Sequence, residues 1–429
     1  MAAWRDVVNR TVLVCSLGYF VDIYDLLLFS IVRRPSLVAL GVATDRLADV
    51  GATLLNWQMG GLLLGGLLWG VLGDRRGRRS VLFGSIALYS LANLANAFVQ
   101  DIPTYTALRF IAGVGLAGEL GAAVTLVSEA LPKERRGYGT MLVSSLGILG
   151  AVVAYSVSRL DWRLAYVTGG VLGLGLLVLR LGLAESPLFS RYPGRGDLRL
   201  FVASRRPDGS LAWFQGNGRR LGLLLRSTLI GVPLWCAIGI LITFSPEIGS
   251  GLRLTGPVDA GLAVMVSYAA ASVGSLASGT LSQALHSRRV VLLGFLGLTA
   301  AAGASFLFLA GSSTTAFYTA CAALGFGAGY WAVFMQAAAE QFGTDLRATV
   351  TTAAPNLVRG SVVLLTLGYQ ALQASFDRPA SAVLLLCLTI AVALACAWSL
   401  PETYGRDLDF LEQTATPDST PGQWSALTS

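Results

Sequence analysis

Apolar runs of about twenty residues follow one another along most of this chain, with short polar breaks between most of them. An α-helix needs about that length to cross the hydrocarbon core of a bilayer. The chain is 54% hydrophobic and 13% charged, and soluble domains carry roughly 25% charged residues, so about half of the charge that a water-facing surface uses is missing. The pattern predicts helices over 11–31, 52–73, 80–99, 103–129, 138–158, 162–183, 224–246, 258–281, 289–310, 314–338, 348–371 and 379–400. The expected fold is therefore all-α and integral to the membrane, with twelve transmembrane helices.

The charge that remains orients them. Of the 31 Lys and Arg, counting residues at helix ends with the adjoining loop, 21 fall on the side of the N-terminus, 7 on the other side and 3 within spans. Basic residues concentrate in cytoplasmic loops, so both termini are expected inside. The net charge of +7 is thereby accounted for without a nucleic-acid partner. Cys15, Cys236, Cys321, Cys387 and Cys396 lie in apolar spans without metal-type spacing, and neither a disulfide nor a metal site is expected. The lone His286 sits in a loop beside Arg288 and Arg289. No cleavable signal is expected, because the first apolar run lacks a small-residue processing site.

An internal repeat divides the chain. SEALPKERRGYGT (128–140) resembles AEQFGTDLRATVT (339–351); Glu129 and Glu340 are 211 residues apart, as are Arg136 and Arg347. LAESP (183–187) corresponds to SLPETYG (399–405), and WGVLGDRRGRRSVLFG (69–84) has a faint partner in GTLSQALHSRRVVLLG (279–294), which keeps paired arginines but no acid. Two six-helix bundles are expected, 1–187 and 224–403, related by pseudo-symmetry. An arginine-rich cytoplasmic linker, 188–223, joins them, and FVAS, PDGS and LAWFQ within it suit a small hairpin. The tail, 404–429, is polar and expected to be disordered.

Several of these motifs resemble one family of carriers. The G-x-x-x-D-R-x-G-R-[RK] signature of the major facilitator superfamily is matched by Gly70, Asp74, Arg75, Gly77, Arg78 and Arg79. RFIAGVGLAGELGAAVTLVSEALPKERRG (109–137), the acidic first span GYFVDIYDLLLFS (18–30) and PETYGRDLDFLE (401–412) resemble its sugar-porter and proton-coupled organic-acid branches. The fifth span lacks the Gly-Pro signature usual in drug antiporters. The resemblance implies a secondary transporter working by alternating access and not an enzyme, placed in the cell membrane (the inner membrane of a bacterium) as a multi-pass protein. It implies a monomer that needs no cofactor, with a small anionic substrate, protons and the lipid bilayer as partners.

Charge inside the spans narrows the chemistry, since an ionised side chain at the bilayer centre costs roughly 2.5–3.5 kcal/mol on the lenient scale. Asp22 and Asp25 share one face of the first span. Asp25 and Arg109 lie at equal depth, about 9 Å below the outer surface at about 1.5 Å per residue. In the resembled sugar porters these motif positions form the proton-coupling pair; a fixed ion pair is the alternative. Glu119 is a third acid, either a cavity group or a packing hydrogen bond; it lies about 80° round the helix from Arg109 and about 15 Å along it, so the two do not simply pair. Arg359, near the midplane of the eleventh span beside Pro355, suits a carboxylate clamp or the neutralisation of Asp22 or Glu119. Asn356, Gln58, Trp235, Tyr268, Tyr330 and Gln336 are candidate cavity groups, with Asn56 and Trp331 beside them. Arg180 is expected to snorkel to the surface and Glu247 to be interfacial. Glu129, Arg136, Glu340 and Arg347, with the 70–79 loop, are expected to form the gate.

Proton-coupled import of a small organic anion or carboxylate is the leading expectation. Sugar or polyol symport comes next, then efflux by proton antiport, then a non-transporting receptor.

Overall fold

The computed structural model describes residues 7–182, 185–186, 189–190, 203–205, 211–213, 218–252, 254 and 256–409. The chain is a bundle of long helices: α1 (Arg10–Ala39), α2 (Leu47–Arg76), α3 (Arg78–Asn96), α4 (Ile102–Leu116 and Glu119–Ala130), α5 (Arg136–Ile148 and Gly150–Ser158) and α6 (Trp162–Leu179). Then follow α7 (Gly218–Cys236, continuing through a π turn, Ala237–Ile242), α8 (Ala260–Ala284), α9 (Arg288–Leu309), α10 (Thr314–Gly327 and Trp331–Glu340), α11 (Thr344–Gly360 and Val362–Leu372) and α12 (Arg378–Ser399). Among the described residues eleven helical segments are long and apolar enough to cross a membrane. The segment that falls short of that measure is α3, which spends its length on Arg78, Arg79 and a polar face of Ser85, Ser90, Asn93 and Asn96 that is buried.

Local chemistry sets the helix starts. Side chains of Asn9, Asp101, Asp161, Asp259, Ser287, Ser313 and Asp377 each accept a backbone N–H from the first turn of the helix they precede, as good N-caps do. Two helices run well past the expected ends: α1 continues to Ala39 through Pro35, and α2 runs for 30 residues. Large apolar side chains such as Leu64, Phe98, Phe308, Leu364 and Trp398 are exposed on the bundle's outside, where lipid is their solvent.

Within the bundle, helices meet through small residues. A Cβ on Gly113 would strike the carbonyl of Gln58, and one on Gly61 would strike that of Phe110, so α2 and α4 cross at backbone contact. Gly118 and Gly121 similarly face Ser85 and Trp69, and Thr352 of α11. In the arginine-rich stretch after α6, β1 (Ala203–Arg205) pairs antiparallel with β2 (Leu211–Trp213), the expected hairpin. The tail corrects its expectation in part. Residues 404–409 fold back under the bundle with Leu408 buried; 410–429 lie outside the described residues.

Gly113→Val should force α2 from α4. Overpacking of this kind costs about 1–3 kcal/mol, read as a drop of several degrees in melting temperature with loss of the monodisperse peak. Gly175→Val, where nothing lies within 4 Å of the added carbon, should leave both unchanged.

Candidate functional site

At mid-height, where α4, α5, α10 and α11 are all interrupted, a closed cavity lies between α1, α5, α7, α8, α10 and α11. Tyr19, Ile23, Ile148, Leu234, Trp235, Ile238, Tyr268, Trp331 and Arg359 line it. In this closed form it is small, with room on the order of a single water. Arg359 is the charged group of the lining. Its guanidinium lies 5.9 Å from the Trp235 ring centre and 3.4 Å from Asp22 Oδ2. Arg359 thus faces the cavity and lies beside one of the two acids it was expected to neutralise, Asp22 and not Glu119. Of the candidate cavity groups, Trp235 and Tyr268 line it, as does Trp331, whose buried indole N–H lacks a partner.

The other candidates face elsewhere. Asn356 donates to the carbonyls of Ala117 and Thr352, each at 2.7 Å, and ties α11 to α4. Gln58 donates to Leu26 of α1, and Tyr330 to Ile230 of α7. Gln336 accepts from Ser128 and donates to Glu340 at 2.7 Å. Asn56 is half-buried. A polar residue in an apolar span marks a bond across helices, and spacing alone does not tell which of these bonds border a cavity.

Asp25 and Arg109 do not form an ion pair here. Arg109 donates to Asn93 at 2.7 Å and Asn96 at 3.3 Å, with its guanidinium 4.7 Å over the Tyr166 ring. Both oxygens of Asp25 are buried without a hydrogen-bond partner. The two asparagines of α3 hold the arginine instead. Glu119 opens the second half of α4 and is bound by Arg180 through two bonds, one of 2.8 Å. Arg180 is fully buried and also donates to Leu82. This corrects the snorkelling expectation: α6 ends at Leu179 and a tight turn, Arg180–Gly182, lets the side chain reach inward to Glu119.

On the side of the 70–79 loop, charged groups seal the cavity. Asp74 accepts from the backbone N–H of Ala348 (3.2 Å) and Thr349 (2.8 Å) and from the Thr349 hydroxyl, binding α2 to α11. Gly70 lies against Thr349. Glu129 is held by Arg78 at 3.1 Å, Arg347 at 2.8 Å and the Ser186 hydroxyl. Gly77, at φ +97°, makes the turn into α3 and leaves space for Glu185, which accepts from the N–H groups of Arg78 and Arg79. Arg75 and Arg79 themselves are exposed at the rim.

The second half of the chain repeats this arrangement. Arg288 binds Glu340 at 3.2 Å, and Glu402 accepts from the N–H groups of Arg288 and Arg289. Burial would raise the Glu402 carboxyl, but the Ser287 hydroxyl and N–H groups of Arg288, Tyr404 and Arg289 outweigh it and hold its pKa below the usual value. Its contribution to stability is complete above the ordinary carboxylate range and lost as pH falls through that lowered value. The contact that Asp74 makes is made in this half by Gln283, one residue before the aligned Ala284: its amide, oriented to satisfy its neighbours, accepts from Gly137 (3.2 Å) and Tyr138 (3.3 Å) at the start of α5. The tail closes this layer: Leu408 C=O accepts from Arg347 at 2.6 Å, and Arg406 C=O from Arg136 at 3.1 Å.

The opposite side is shut by a pair that the sequence did not single out. Buried Arg33 of α1 meets Glu247, in the short helix after α7, at 2.9 Å and lies 4.7 Å over Phe244. Glu247 is thus a cross-helix ligand for Arg33 and not a free interfacial acid. The arginine pair Arg33–Arg34 at a span end was the available signal.

A small cavity among long apolar helices, with ion pairs joining the two chain halves on either side of it, is the architecture of a membrane carrier. The family model described as Major Facilitator Superfamily matches residues 16–367, and the chain belongs to that family, as a multi-pass membrane transporter. It is similar to the putative niacin/nicotinamide transporter NiaP of Bacillus subtilis (strain 168), at 26% identity over 394 residues, 89% of this chain and 93% of the relative. The 4-hydroxybenzoate transporter PcaK of Pseudomonas putida is 32% identical over 196 residues, 44% of this chain and 42% of that protein. The fold is similar to that of the proton:xylose symporter XylE bound to 6-bromo-6-deoxy-D-glucose, with TM-score 0.69 at 19% identity, covering 93% of this chain and 97% of the other.

Removing one partner of a buried pair costs about 3–5 kcal/mol. Glu129→Gln should therefore open the loop-side seal: hydrogen exchange over the first turns of α11 should rise at least tenfold, while the Arg33–Glu247 side keeps its protection.

Proposed function

We propose that the chain is a proton-coupled importer of a small organic anion, and specifically of an aromatic carboxylate. The observation that carries the reading is Arg359 facing a cavity otherwise walled by Trp235, Trp331, Tyr268, Tyr19 and aliphatic side chains. A guanidinium binds a carboxylate by two parallel hydrogen bonds, and flat aromatic walls hold a planar ring. Niacin and 4-hydroxybenzoate, named for the two relatives, are planar acids of this chemistry. A sugar is the second reading. It is supported by the fold neighbour, a proton:xylose symporter bound to a sugar analogue, and weakened by the guanidinium in the lining, which a neutral sugar leaves without a counter-charge.

In this reading all twelve helices span the bilayer, α3 included, with both termini and the 70–79 loop cytoplasmic. The first six and last six helices rock about the midplane, with 1–187, 188–223 and 224–403 as bundle, linker and bundle, in a monomer. Two acids of α1 share the proton chemistry: Asp25 comes first, its buried carboxyl without hydrogen-bond partners here, with Asp22 nearby as a coupled carboxylate; an approach of Arg109 from Asn93 and Asn96 in an open form favours ionisation of Asp25. Glu119, bound to Arg180, holds α4 to α6 and does not titrate in the cycle.

Vesicles with an inward-directed proton gradient should accumulate radiolabelled niacin or 4-hydroxybenzoate. Asp25→Asn should abolish accumulation yet keep exchange of internal for external substrate. Arg359→Gln should weaken binding at least tenfold; unchanged affinity would remove the anion site from Arg359.

A further inference from the structure

We propose that Asp22 is the residue through which substrate and proton are linked, because it and the transported carboxylate compete for one guanidinium, that of Arg359. The inference rests on the substrate reading above and names the group that couples it to a proton.

Three of the buried acids, Glu129, Glu119 and Asp22, differ in how completely their ion pairs are made. Glu129 is satisfied by two arginines and a serine hydroxyl, and Glu119 engages Arg180 with both oxygens. Asp22 touches Arg359 through one oxygen at 3.4 Å, its Oδ1 has no partner, and neither has Arg359 Nε. A full arginine–carboxylate fork closes to about 2.7–2.9 Å on two oxygens. The Asp22 pair is one-pronged and long, with capacity left on both sides. It is also the one of the three whose arginine lines the cavity, with the acid on α1 and the base on α11.

The groups facing Asp22 leave it no substitute partner. Besides Arg359 these are the Glu119–Arg180 pair, Asp25, and the phenols of Tyr19, Tyr89 and Tyr268. Arg180 is committed to Glu119, and the remaining charges are acidic. When a substrate carboxylate takes Arg359, Asp22 loses its counter-charge beside two other acids and binds a proton. When the proton leaves, Asp22 reclaims Arg359 and the substrate is released. One proton arrives on Asp22 as one anion arrives on Arg359, so the net charge of the cavity is unchanged by loading. By linkage, each ligand raises the affinity for the other by the same factor.

Isothermal titration of the full chain in nanodiscs with niacin and with 4-hydroxybenzoate, between about pH 5 and 8, tests this. For the wild type the apparent Kd should rise with pH, approaching tenfold per unit, with one proton taken up per anion in weak buffer. Asp22→Asn should bind tightly at every pH and take up no proton, whereas Asp25→Asn should keep the wild-type slope. Asp22→Glu, which retains the acid, should keep a slope with a shifted midpoint, and covers the case in which the Asn variant does not fold. A pH slope and proton uptake that persist in Asp22→Asn, or are absent from the wild type or from Asp22→Glu, overturn the proposal. Arg359→Gln binding as tightly as wild type, or neither acid binding the wild type, overturns instead the substrate reading beneath it.

Discussion

A charge inside a bilayer has to be met by an opposite charge or a dipole, and in this chain most of the answering groups sit on a different helix. Arg180 of the turn after α6 meets Glu119 of α4, Arg347 of α11 meets Glu129 of α4, Arg359 of α11 meets Asp22 of α1, and Arg33 of α1 meets Glu247 beyond α7. Hydrophobic attraction does little to hold one helix to another in lipid, because the tails are as apolar as leucine. Close glycine contacts and these polar bonds carry the assembly instead. The same bonds determine where it comes apart.

Their placement separates framework from moving parts. Glu119–Arg180 lies within the first six helices and keeps them together as they move. Arg347–Glu129, Asp74 with Ala348 and Thr349, and Arg33–Glu247 cross from the first six helices to the last six, above and below the cavity. Alternating access requires the crossing bonds to break in turn while the internal ones persist. Both crossings are made in this structure, and the cavity between them is small.

Much of this was legible in the sequence, because the bilayer imposes simple rules. Length and apolarity located the helices, and the 211-residue offset paired Glu129 with Glu340 and Arg136 with Arg347 before any coordinates. The charged site residues were also legible as a set, since ionised groups in spans are costly enough to be functional. Their pairing was not. Depth matched Asp25 to Arg109, but Asn93 and Asn96, neutral and unremarked in α3, hold that arginine. Arg180 was assigned to the surface from its distance to the helix end, which a single tight turn reverses. Tyr19 reaches the cavity and the candidate Tyr330 turns to α7 because of how α1 and α10 are rotated, a property of packing that periodicity alone does not fix.

That Gln283 makes in the second half the contact that Asp74 makes in the first has a mechanical result. Each side chain reaches the same two backbone N–H groups at the head of a helix in the other half, Ala348 and Thr349 in one case and Gly137 and Tyr138 in the other. A bond to an ionised acceptor is roughly twice as strong as a neutral one. The loop-side closure is therefore a door with one stiff edge, α2 on α11, and one slack edge, α8 on α5. A single amide thus makes unequal two edges that are otherwise built to the same plan.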